Sequence, residues 1–160
     1  MIDGRFSLLD YDGRAVTEQT YRGKHMLVFF GFTHCKVVCP RALERISRAL
    51  DTLGGEADRI QPLYISVDPE RDTPARMQEF LGTYPRFTGL TGTREQTDAA
   101  KQAFRVFAQR KADAQEPDGY VVPHTAFTYV LDPSGAYVVH YADTIDAETM
   151  ASRLRDVLTR

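Results

Sequence analysis

MLVFFGFTHCKVVCPRALERISRAL, residues 26–50, is the stretch that decides the fold. It opens on a continuous apolar run, Met26 to Phe30, as expected for a strand buried on both faces. It closes on Leu43, Ile46 and Leu50, which recur with Leu53 at helical spacing until Gly54-Gly55 stops the helix. Pro40 suits the first helical turn, where its missing N–H is no loss. Between strand and helix stand Cys35 and Cys39, the chain's 2 cysteines.

Working outward, Arg5 to Thr20 reads as a short hairpin turning at Tyr11-Asp12-Gly13. Pro62 to Val67 is a second buried strand, followed by a turn at Asp68-Pro69 and a helix near Pro74–Tyr84. A further helix fits Arg94–Gln109, with Thr97, Ala100, Phe104 and Phe107 on one face. Lys111 to Gly119 is polar and reads as a surface loop. Ala126–Asp132 and Ala136–Ala142 are strands joined by Pro133-Ser134-Gly135. Asp146 caps a last helix that turns Met150, Leu154 and Leu158 inward. The strand–helix–strand unit should be parallel and right-handed, whereas the late pair must be antiparallel because its turn is short. The expected architecture is α/β: a mixed central sheet with helices on both faces and an N-terminal β-hairpin, in the thioredoxin-like order. The cysteines fall where the first core strand meets its helix, the place open α/β sheets put their sites.

The 160 residues suit one domain over 1–160, large enough for a core without staples. A net charge of −2 with no basic face argues against nucleic acid as partner. No apolar run approaches the roughly 20 residues that span a bilayer. The start MIDGRFSLLD reads as folded chain rather than signal peptide.

The cysteine pair admits three chemistries: a structural disulfide, a thiol redox couple, or a soft-metal clamp. A bridge would close a tiny loop and stabilise little. Both sulfurs lie near a helix N-terminus, which favours thiolate. Thioredoxin-type centres have two residues between their cysteines, and here there are three. Zinc wants four ligands and no second pair exists. Copper(I) accepts two or three soft ligands, so two thiolates plus an imidazole would suit it. Of the 4 histidines, His25, His34, His124 and His140, the third is the candidate. If its strand is central, His124 starts beside the ends of the first core strands.

Three stretches, FFGFTHCKVVCP (29–40), YISVDPERDTP (64–74) and VPHTAFTYVLDPSGAYV (122–138), together resemble the Sco/SenC family. These are copper-handling proteins of cytochrome c oxidase assembly, and the likeness runs nearly the whole chain. It implies a thioredoxin-like fold and one copper ion, Cu(I) or Cu(II), held by Cys35, Cys39 and His124. It implies delivery of copper to the copper A site of cytochrome c oxidase subunit II, a thioredoxin-like reductant for the cysteines, and an upstream copper donor. It further implies a mostly monomeric domain outside the cytoplasm, in the bacterial periplasm or its equivalent, tethered by an N-terminal membrane segment absent from this chain. The DPxRDTP motif is matched by Asp68, Pro69, Arg71, Asp72, Thr73 and Pro74, and reads mainly as a turn and helix cap. Asp68 is a candidate to orient a ligand from behind. Two departures stand out. Lys36 and Val37 replace the Pro-Asp that often follows the first cysteine. Pro123 replaces the Asp that commonly precedes the histidine, which puts a possible orienting carboxylate in doubt and makes Pro123 itself a candidate behind the ligand. By likeness to the proline segment of thioredoxins, a cis Val122–Pro123 bond is expected.

The same cysteines could instead serve a thiol–disulfide oxidoreductase, a redox-active pair that reduces the copper A apoprotein. His124 would then be optional. A peroxidase fits poorly, because peroxiredoxins place Thr three residues before the reactive cysteine and Thr33 stands two before Cys35.

Overall fold

Local chemistry sets most element boundaries. The structure, a computed structural model, describes residues 2–35, 38–116 and 119–160; side chains are described for all of these but residue 38. The N-terminal hairpin is β1 (Ser7–Leu9) and β2 (Ala15–Thr17), and Gly13 adopts the left-handed backbone (φ 75°) that its turn needs. Then come β3 (His25–Gly31), α1 (Val38–Leu53), β4 (Ile60–Ser66), α2 (Pro74–Phe80) and β5 (Thr88–Leu90). They are followed by α3 (Arg94–Ala103), β6 (Lys111–Ala112), β7 (Tyr120–Val121), β8 (Thr128–Leu131), β9 (Tyr137–Tyr141) and α4 (Ala147–Leu158). Thr73 caps α2 by accepting from Arg76 N, with Pro74 at its first position, and Asp146 caps α4 by accepting from Thr149 N at 2.7 Å.

The central sheet runs β5-β4-β3-β8-β9. β3 pairs parallel with β4 and antiparallel with β8. Being central, β3 buries both faces, which is why its sequence does not alternate. Leu27 and Phe29 pack with Leu43, Ile46 and Leu50 of α1 and Met150 and Leu154 of α4. Met26, Val28 and Phe30 pack on the other side with Ala100 and Phe104 and with Leu8 and Val16 of the hairpin. Each fully buried Leu or Phe contributes about 1.5–3 kcal/mol of hydrophobic stabilisation. This is the mixed sheet, two-faced helix cover and N-terminal hairpin of a thioredoxin-like fold.

Five expectations change. The helix from Arg94 ends at Ala103 rather than at 109, because Arg105 turns left-handed (φ 58°) and Val106 N bonds back to Lys101 O. Phe107 therefore leaves the buried face and stands 70% exposed. Leu81–Thr83 and Gly54–Arg59 are tighter 3-10 turns, so α2 ends early and the chain after Gly54 stays helical. The expected loop begins as a strand: Lys111 pairs with Val121 and Ala112 with Tyr120 in a small two-stranded ribbon. The Val122–Pro123 bond is trans. The segment is held extended by pairing: Gln109 N donates to Pro123 O (3.1 Å), and Thr125 N to Phe107 O (2.8 Å).

Candidate metal centre

β3 and β4 run parallel and end together at Gly31 and Ser66, while antiparallel β8 begins there, with Thr128 opposite Phe29. One sheet end thus receives both the loop into α1 and the segment entering β8. After β3 a turn forms, in which Cys35 N donates to Phe32 O at 3.1 Å. Cys39 sits in the first turn of α1, fully buried, while Cys35 is half-buried; the two are not joined in a disulfide. The Cys39 N–H donates to Cys35 Sγ at 3.4 Å, so the outer sulfur rests on an otherwise unpaired helix N–H. Lys36 and Val37, the departures noted in the sequence, lie outside the described residues.

His124 comes to the same end of the sheet. Its Nε2 is 4.0 Å from Cys39 Sγ. Its Nδ1 is 3.0 Å from Val122 O, a carbonyl that can only accept, so Nδ1 carries the proton and Nε2 presents its lone pair toward the sulfur. Phe29 and Phe32 flank the imidazole edge-on, with ring centroids 6.5 and 5.8 Å away. Burial pushes the His124 pKa down, against smaller opposing contributions from backbone hydrogen bonds and Asp143, which keeps the ring neutral and able to ligate.

Cys39 differs from the thiolate bias that a helix N-terminus alone implies. The Cys39 thiol is pushed well up, first by its interaction with Cys35 and then by burial. Two adjacent sulfurs in an apolar floor cannot share negative charge without a cation between them. Anything that binds here as a thiolate complex must displace the Cys39 proton. The half-buried partner, Cys35, is the sulfur that solvent or another protein reaches first.

The other histidines stay away from this point. His25 opens β3 at its far end, and His140 of β9 is exposed, its Nδ1 2.5 Å from Tyr137 Oη. His34 turns to Thr33 and toward two buried carboxylates. Among the described residues, His34, Asp68 and Asp72 are the one set of three whose ligand atoms all lie within 4.8 Å of one another. The two sulfurs and the imidazole do not form so tight a set, so the three groups must draw together to meet one ion.

Those carboxylates are structural anchors. Asp72 accepts from Thr33 Oγ1 at 2.6 Å, from Thr33 N at 3.3 Å and from Ser66 Oγ at 2.7 Å. It therefore ties the loop before Cys35 to the end of β4, a role the sequence assigned only to helix capping. Asp68 accepts from Arg71 Nε at 2.5 Å and from Tyr120 Oη at 2.9 Å. It thereby holds β7, two residues from the Val122 carbonyl that orients His124.

A family model described as SCO1/SenC matches residues 1–159. Protein SCO2, mitochondrial, of Saccharomyces cerevisiae is 33% identical over 157 residues, 97% of this chain and 52% of its own length. The chain thus spans about half of that relative. Among solved structures, Bradyrhizobium japonicum ScoI with copper bound superposes with a TM-score of 0.87 at 38% identity, covering 98% of this chain and 99% of that one. Yeast Sco1 with copper bound gives a TM-score of 0.90 at 32% identity, covering 99% and 88%. With its paired thiols and one histidine gathered at the open end of a thioredoxin-like sheet, the chain belongs to the SCO1/SenC family.

Proposed function

We propose that this protein is a copper metallochaperone that binds one copper ion through Cys35, Cys39 and His124 and delivers it to the copper A site of cytochrome c oxidase subunit II. The observation that carries this reading is the 4.0 Å approach of His124 Nε2, in its ligating tautomer, to the buried sulfur of Cys39. Two polarizable sulfurs and one imidazole make a donor set for copper(I), and the imidazole also suits copper(II). Relatives of the same fold, ScoI and Sco1, hold copper in their structures. BsSco is a member of the Sco family of cytochrome c oxidase assembly proteins, which supports an oxidase as destination. Cys35, being half-buried, is the ligand an acceptor thiolate can exchange first. Asp68, through Tyr120, and Pro123, through its carbonyl, hold the His124 segment in place. The domain works outside the cytoplasm, where a thioredoxin-like reductant keeps the cysteines reduced and an upstream donor supplies copper.

Copper(I) titrated into the reduced protein should bind at one equivalent, and His124→Ala should weaken it markedly. A flat titration of the wild type defeats the reading. Because Cys39 gives up a proton on binding, and Cys35 a second wherever it is still a thiol, apparent affinity should rise with pH by at least about tenfold per unit through neutrality. His124, held neutral by burial, adds no proton release there. Competition titrations at several pH values measure the slope, and a pH-independent affinity contradicts it.

A second reading, disulfide reduction of the copper A apoprotein, is favoured by one feature: the accessible Cys35 sulfur rests on the Cys39 N–H while its partner is buried, as in an attacking and resolving pair. His124→Ala separates the two, since it should spare turnover of a disulfide substrate while impairing copper binding.

A further inference from the structure

Tyr64 of β4 is fully buried, its ring stacked on Phe29 with centroids 6.2 Å apart. A phenylalanine would fill the same space, so the hydroxyl is the feature to explain. It reaches the floor of the metal centre. A Cβ built on Gly31 would lie 2.3 Å from Tyr64 Oη and 2.8 Å from Cys39 Sγ, so oxygen and sulfur share the one gap that this glycine leaves. Tyr64 Oη donates to Phe32 O at 3.2 Å, but that carbonyl also accepts from Cys35 N at 3.1 Å. It keeps a donor if the phenol turns away.

We propose that, when Cys39 binds copper as a thiolate, the Tyr64 hydroxyl donates a hydrogen bond to its sulfur and thereby favours copper(I) over copper(II). The proposal rests on the ligand assignment above. In the metal-free site Cys39 is a thiol and a poor acceptor. Copper binding sends the thiol proton to water and leaves a buried anionic sulfur, a stronger acceptor than a carbonyl. The phenol proton stays on oxygen, because a phenol is a weaker acid than a thiol, and weaker still than a thiol bound to copper. A hydrogen bond to a ligating sulfur draws charge from it. Copper(II) depends on that charge more than copper(I), so the oxidised form loses more. Tyr64 is thus a positioning and tuning residue that does not touch the ion.

Tyr64→Phe tests this by removing one oxygen. Copper(I) and copper(II) affinities and the reduction potential of the bound ion are measured on wild type and variant, with melting of the metal-free proteins alongside. The variant should keep one copper per chain while copper(II) tightens relative to copper(I) by about tenfold, a fall of about 59 mV. In the wild type, the Tyr64 Cζ carbon resonance should shift on copper(I) loading, a readout that does not depend on the variant folding. An unchanged affinity ratio with one copper bound overturns the tuning role alone. Equal weakening of both oxidation states with a lower melting temperature also overturns it, because that is a purely structural role. A wild type that binds no copper overturns this proposal and the chaperone reading together.

Discussion

Cys39→Ser is expected to bind no stoichiometric copper(I). A serine hydroxyl does not ionise near neutrality and offers a hard oxygen where copper(I) wants a soft donor. What remains is Cys35, half-buried on the helix end, and the imidazole of His124, with no central atom joining them. The loss should exceed the roughly 10–100-fold cost of removing a group that only orients a ligand. The fold should survive. The substitution is nearly isosteric, and the new hydroxyl can accept from the Phe32 backbone or from Tyr64, both already at this floor. Circular dichroism of the metal-free variant should match the wild type while its copper(I) titration shows no break at one equivalent. Retention of near-wild-type affinity would remove Cys39 from the ligand set.

Asp72→Ala should be the most damaging change to stability among the polar residues near the site. The carboxylate is fully buried and takes both the N–H and the hydroxyl of Thr33 and the hydroxyl of Ser66. The two hydroxyls can rotate toward other partners, but the Thr33 N–H is fixed by the backbone. Each stranded buried donor costs about 1–3 kcal/mol, and relief from burying a charge offsets part of it. A net loss of about 2 kcal/mol corresponds to a melting temperature lower by roughly 4–8 °C for a domain of this size. Asp72→Asn keeps one acceptor oxygen and should recover much of the loss. The pH dependence separates the two effects. Burial outweighs the hydrogen bonds and holds the Asp72 carboxyl above its usual value. The folded chain then binds this proton more tightly than the unfolded chain, so the wild type loses stability as pH rises through the raised value. Relative to Asp72→Asn it should gain as pH falls. Thermal melts of both variants across the acid range check the sign; an Asp72→Ala melt within 2 °C of wild type (about a third of the expected drop) contradicts the anchor.

Periodicity made much of the fold legible. β3, α1, β4 and α4 bury whole faces, and burial imposes runs or helical spacing that survive in one sequence. The short elements were less visible. β5 is Thr88-Gly89-Leu90, too brief to show a period, and it is a strand because β4 offers it an edge. The β6–β7 ribbon leaves its side chains largely to solvent, so no apolar pattern marks it. The false helical turn at Phe107 came from a spacing that the left-handed Arg105 interrupts, and arginine carries no stop signal.

At the site, residue types alone determined that two thiols sit between a core strand and its helix, and the motif likeness picked His124 out of four histidines. Which imidazole nitrogen faces the sulfur, the upward push on Cys39, the Asp72 tie and the approach of Tyr64 were decided only in three dimensions. The physical reason is range. Covalent spacing controls groups a few residues apart, whereas Cys39 and His124 are separated by 85 positions and Thr33 and Asp72 by 39. Their hydrogen bonds and mutual fields exist only once parallel β3 and β4 and antiparallel β8 bring their ends to one place.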